Sequence, residues 1–127
     1  MGSVTVKSVS NKKELNDFIK FPFLVYKNYK YWVPPLNMEQ KNLLNKEKNP
    51  FFKDAEAEYF LAERDGKIVG RISAIKNNQH LKNHNDASGH FGFFECIDDQ
   101  EVANALFNKA KEWIKENGLK YMKGPAN

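Results

Sequence analysis

Cysteine is all but absent. Cys96 is the only one in 127 residues, so no disulfide can form within the chain. That excludes the small disulfide-stapled scaffolds and leaves stability to core packing. No apolar run approaches the length of a membrane-spanning helix, and no signal-peptide pattern precedes Val4. The expectation is a cytoplasmic protein without a membrane partner. Metal ligands are also scarce. His80 and His84 stand four apart, but their Asn-rich surroundings read as a solvated loop, so no metal is expected. Gly89 and Gly92 lack the Gly-Lys-Ser/Thr ending of a phosphate loop.

Apolar residues, by contrast, are plentiful. They make up 41% of the chain, and ten Phe stand among the aromatics, which excludes disorder. The length suits a single domain over residues 1–127. The net charge of +4 is uneven: residues 1–48 carry nine Lys against four acids, the remainder eleven Lys and Arg against twelve. The front lysines face either an anionic ligand or, as surface lysines usually do, water.

Val4 and Val6 alternate with polar residues and predict a first strand. Asn11 followed by Glu14 is a variant helix-capping box, and Leu15, Phe18 and Ile19 share a helical face until Pro22 ends or kinks it. An aromatic segment follows, with Tyr26, Tyr29, Tyr31 and Trp32, and then a short helix over 38–46. Residues 59–64 and 67–75 around Asp65-Gly66 predict a β-hairpin, because that dipeptide adopts positive φ at low cost. Gly70 interrupts the second strand, where a glycine often permits close backbone approach. A strand over 90–97 and a helix over 100–117 come next. The helix is capped by Asp98 or Asp99 and stopped by Gly118, and its apolar stripe is Val102, Leu106, Ala110, Trp113 and Ile114. Residues 119–123 begin a last strand. A strand–helix–strand unit implies a parallel pair and the hairpin antiparallel ones. The fold class is therefore α/β (α+β), with a mixed, mainly antiparallel sheet and flanking helices. The final strand lacks neighbours of its own, so the sequence is expected to stop short of the closing elements.

These residues carry a resemblance. The hairpin Phe60-Leu61-Ala62-Glu63-Arg64-Asp65-Gly66-Lys67-Ile68-Val69-Gly70-Arg71-Ile72, and Gly92-Phe93-Phe94-Glu95 leading into the helix at 100, resemble the front part of a GNAT-superfamily N-acetyltransferase domain. Lys123-Gly124-Pro125-Ala126-Asn127 resembles a larger, poorly characterised bacterial branch in which the chain runs on, so the C-terminal helix and strands of the acyl-CoA N-acyltransferase-like fold would be lacking here. The resemblance implies acetyl-CoA as co-substrate, with its pantetheine arm beside Phe93, Phe94, Cys96 and Ile97. In the family a Gln/Arg-x-x-Gly-x-Gly/Ala turn holds the pyrophosphate on backbone N–H groups. Here it corresponds to Gln100-Glu101-Val102-Ala103-Asn104-Ala105, with alanine at both small positions. Replacing Ala103 by Gly would ease phosphate approach. Asp98, Asp99 and Glu101 equally fit an ordinary acidic helix start that stabilises its own dipole.

Glu95, on the strand flanking the thioester, is the candidate catalytic base; a partnering Arg or Lys would make it structural instead. The family's usual acid is a Tyr beyond residue 127. Cys96 has no histidine dyad partner and reads as a buried thiol. The resemblance puts Tyr26, Tyr29, Tyr31 and Trp32 on the acceptor side, where they line a pocket or pack as a lid or interface. The function implied is transfer of an acetyl group to an unknown amine, on a small molecule or a protein. The alternative is a non-catalytic binding or assembly module that keeps the fold. Nucleic-acid binding by the basic aromatic front is disfavoured by its interspersed acids. A homo-oligomer is expected, burying the last strand edge or the segment 21–32.

Overall fold

Asp65 and Gly66 have φ of 53° and 78°, the left-handed pair that a two-residue hairpin turn requires. In the computed structural model, which describes residues 3–26, 55–77 and 88–124, this turn joins the two longest strands. The described elements are β1 (Thr5–Ser8), α1 (Lys12–Tyr26), β2 (Ala55–Arg64), β3 (Lys67–Asn77), β4 (Ser88–Cys96), α2 (Gln100–Glu116) and β5 (Tyr121–Lys123). The expected helix over 38–46 lies outside the described residues. All five strands form one sheet in sequence order. β1 to β4 pair antiparallel, and β5 runs parallel to β4 after the α2 crossover. The hairpin strands are longer than their apolar pattern suggests, starting at Ala55 and ending at Asn77.

Each face of the sheet carries a helix, which is why β2 reads as a continuous apolar run. Tyr59 and Leu61 meet Phe18 and Ile19 of α1 on one side. On the other side Phe60, Ala62, Ile72 and Ala74 meet Val102, Leu106, Ala110 and Ile114 of α2. Trp113 packs at the rim of this cluster, only partly buried. Gly70 has the role its position suggests: a Cβ there would stand 2.6 Å from Leu106 Cδ1 and 2.9 Å from Cys96 Cβ. α2 is stopped at Gly118, whose φ is 80°.

At the start of α1, Asn11 Oδ1 accepts the Glu14 N–H at 2.8 Å. Glu14 reaches back to the N–H and hydroxyl of Ser10, one residue earlier than a standard capping box would have it. Lys7 lies 3.1 Å from Glu14 and 2.7 Å from Glu63, tying β1 to α1 and β2.

Pro22 does not end α1. The helix continues to Tyr26 with the proline inside it. Proline has no N–H, so the carbonyl of Phe18, four residues back, loses its helical donor. Arg71 of β3 replaces that donor, its Nη1 lying 2.7 Å from the Phe18 oxygen.

Candidate functional site

The pairing of β4 changes along its length. Ser88, Gly89 and His90 pair with Tyr121, Met122 and Lys123, and there the described β5 ends while β4 runs on to Cys96. On its other edge Ser73 faces Gly92 and Arg71 faces Glu95, so three steps on β4 match two on β3. The extra residue is a β-bulge. Phe93 sits in it with φ of 51°, an unusual conformation for a bulky side chain that costs roughly 1–3 kcal/mol.

Two β3 side chains hold the bulge. Ser73 Oγ donates to the Gly92 carbonyl at 3.1 Å, and Arg71 Nε donates to the Phe93 carbonyl at 3.0 Å. Arg71 is 6% exposed, with its guanidinium 4.9 Å from the Phe18 ring centroid and 5.6 Å from that of Phe93. One buried cation thus joins the helix proline gap to the bulge.

On the α2 face, Phe107 stacks on Phe94 at 4.5 Å and meets Phe91 edge-on at 5.2 Å. Gly124 lies directly against Phe91, since a Cβ there would collide with the ring. Beyond β5, then, β4 borders an aromatic wall on one face and the Arg71-held bulge on the other. Cys96 packs into the α2 cluster. Burial pushes its thiol pKa up, and Glu95, Asp99 and Asp98 add to the effect. Cys96 is accordingly a neutral thiol at pH 7. Ile97, 37% exposed, donates its N–H to the Val69 carbonyl at 3.0 Å.

The start of α2 is capped by its own side chains. Asp99 is its N-cap, with Oδ1 accepting the Glu101 N–H at 2.9 Å, and the Ala103 N–H donates to the Asp99 carbonyl at 3.2 Å. Arg64, 9% exposed at the end of β2, places Nη1 2.5 Å from Asp99 and Nη2 2.6 Å from Glu101. The guanidinium, aided by the Glu101 and Val102 N–H groups, holds the Asp99 carboxyl below its usual range. Gln100 bonds Asn104 at 2.9 Å, and the Val102 side chain is fully buried. The diphosphate of CoA does not fit residues 100–105 in this arrangement. The helix begins at Gln100, and within the stretch matching the Gln/Arg-x-x-Gly-x-Gly/Ala pattern the Glu101 and Ala103 N–H groups are bonded to Asp99, beside two carboxylates.

The structure therefore brings Phe93, Phe94, Glu95 and Cys96 together along β4, with Ile97 just past its end and Gln100 to Ala105 in the first turns of α2. Tyr26 ends α1. Tyr29, Tyr31, Trp32, His80 and His84 lie outside the described residues. Sequence reasoning missed Arg64, Arg71 and Phe107. Arg71 alternates with Ile72 and so reads as solvent-facing. The signal against that is the apolar face of α1, which needs the same sheet face for its own burial.

The chain has a GNAT-superfamily fold, that of the acyl-CoA N-acyltransferases. A tandem GNAT protein from the clavulanic acid biosynthesis pathway superposes with a TM-score of 0.69 at 12% identity, covering 91% of this chain and 34% of that one. No protein-family profile matches the sequence. Two curated relatives do. Protein YghO of Escherichia coli is 37% identical over 120 residues, 94% of this chain and 30% of that protein. A bacterial ceramide synthase of Caulobacter vibrioides is 38% identical over 125 residues, 98% and 33% respectively. The chain spans about a third of the length of each.

Proposed function

We propose that this chain is the front part of a GNAT-like domain that transfers an acyl group from a pantetheine thioester to an amine. The observation that carries this reading is the bulge at Phe93, three residues past the last described pairing of β4 with β5. A strand that bends there gives an extended donor a backbone edge to lie along. When bound, the thioester supplies the activated acyl group. Phe93, Phe94, Cys96 and Ile97 would flank its arm. Glu95 would take the proton from an ammonium acceptor directly or through water, and its register opposite Arg71 places it on the face that α1 covers. Tyr26, Tyr29, Tyr31 and Trp32 belong to the acceptor side of this reading. The ceramide synthase relative favours a long-chain amine as acceptor, since a ceramide is by its chemistry an N-acylated amino alcohol. On this reading the chain self-associates through β5, the outermost strand among the described residues, or through the segment 21–32.

The second reading, a binding or assembly module without catalysis, draws on the self-capped start of α2. Acetyl-CoA titration followed by thermal melting, with mass-spectrometric detection of an N-acylated long-chain amine, separates the two. A rise in melting temperature with product supports transfer, and a loss of product in Glu95→Gln at unchanged melting temperature supports the base. Binding without product from the full chain favours the module.

A further inference from the structure

The start of α2 carries its own anion. Asp99 accepts the Glu101 N–H, its main-chain carbonyl takes the Ala103 N–H, and Arg64 pins both Asp99 and Glu101 from β2. A diphosphate placed there meets two carboxylates already paired to the nearest cation, and the Glu101 and Ala103 N–H groups are already bonded to Asp99. Glycine at position 103 alone would not open the site, because that amide is bonded within the helix. The residues expected to face the donor through its arm, by contrast, lie on a different stretch, beside the β4 bulge and the Phe91–Phe107–Phe94 wall.

Building on the acyl-transfer reading, we infer that the donor is recognised through its acyl-pantetheine arm and that its nucleotide diphosphate contributes nothing at α2. The substrate class is then any acyl-pantetheine thioester, whether the pantetheine is carried by CoA or by a carrier protein. Arg64 is a specificity-determining residue in this scheme. By holding Asp99 and Glu101 over the helix start, it denies that start to phosphate.

Isothermal titration of the full chain with acetyl-CoA, S-acetyl-pantetheine and an acetyl-loaded acyl carrier protein tests this. Acetyl-CoA and S-acetyl-pantetheine should bind within about threefold of each other, well under the tenfold that 1.4 kcal/mol of phosphate contacts would bring. Tighter binding of the loaded carrier protein than of acetyl-CoA would identify the carrier as the source, and the reverse would identify CoA; both keep the pantetheine assignment. In the double variant Asp99→Asn, Glu101→Gln the helix keeps an N-cap of equal quality and loses both charges, which frees Arg64. Preference for acetyl-CoA over S-acetyl-pantetheine should then rise about tenfold, as a gained charge-assisted phosphate contact predicts. Acetyl-CoA binding more than about tenfold tighter than S-acetyl-pantetheine in the unaltered chain would overturn the inference while leaving the acyl-transfer reading intact. An unchanged preference in the double variant would also overturn it. Binding of none of the three probes would remove the thioester reading and this inference together.

Discussion

Arg71 bonds the carbonyl of Phe18 that Pro22 leaves without a helical donor, and the same guanidinium bonds the carbonyl of Phe93 in the β4 bulge. An interruption in a helix and an irregularity in a strand are thereby held by one buried side chain. Methionine in its place would keep the packing volume and remove this donor from both oxygens. Arg71→Met should cost about 1–3 kcal/mol at the buried Phe18 carbonyl, and less at the half-buried Phe93 carbonyl. In a Pro22→Ala background the helix recovers its own bond to Phe18, so the same substitution should cost less. A double-mutant cycle by urea denaturation should show a coupling of about 0.5–3 kcal/mol. Strict additivity would mean that Arg71 does not compensate the proline.

Gly70 sits where α2 comes closest to β3. A valine there meets Leu106 Cδ1 well inside contact distance. Gly70→Val should destabilise by about 1–3 kcal/mol through overpacking. Shortening the opposing side chain in Gly70→Val, Leu106→Ala should return part of that loss. Denaturant midpoints measure both, and a neutral Gly70→Val would show that the helix can shift away freely.

Several parts of this fold were legible because they rest on local chemistry. Asp65-Gly66 fixes a turn by its φ preference, Asp99 and Gly118 delimit α2, and Gly70 marks a close approach. The bulge was not legible, since no residue type announces positive φ at a phenylalanine; its position follows from Arg71 and Ser73 across the ladder. Pro22, read as ending or kinking its helix, does not end it, for the same reason. Its helix survives through a donor 49 residues away in sequence, and local rules cannot contain that bond. Phe93 to Cys96 could be placed along one strand from the sequence, which carried that strand one residue too far, to Ile97. That the acids at 99 and 101 are pinned by Arg64 could not, because the pairing spans 35 residues.

Acid should loosen the chain at two caps. Hydrogen bonds from the Ser10 hydroxyl and N–H, followed by Lys7, lower the Glu14 pKa from 4.5 to about 2, and Arg64 depresses Asp99. A carboxyl whose folded pKa is depressed contributes stability that is complete above its unfolded value and lost as pH falls toward the folded one. Glu14 therefore adds no pH dependence between pH 5 and 8, and its contribution declines from about 4.5 to about 2. Melting temperatures of the unaltered chain and Glu14→Gln should differ at neutral pH and converge toward pH 2. A constant gap across that window would contradict the assignment.

Self-association through β5 has a testable charge signature. Tyr121 is 60% exposed there, Lys120 precedes the strand and Lys123 is its last residue. Across a two-fold axis the lysines of two copies approach one another, so added salt should strengthen the dimer by screening them. Sedimentation at micromolar protein should show mass rising with ionic strength, and melting temperature rising with concentration. A compact monomer with a concentration-independent melting temperature would exclude this interface.

The most direct test of donor binding along β4 is an amide chemical-shift titration of the full, isotope-labelled chain with acetyl-CoA. The account predicts that the largest perturbations fall on Phe91 to Ile97, with Glu101 to Ala105 nearly still because their N–H groups are committed within α2. Saturating donor that leaves Phe91 to Ile97 unmoved, or that moves Glu101 to Ala105 instead, would contradict it.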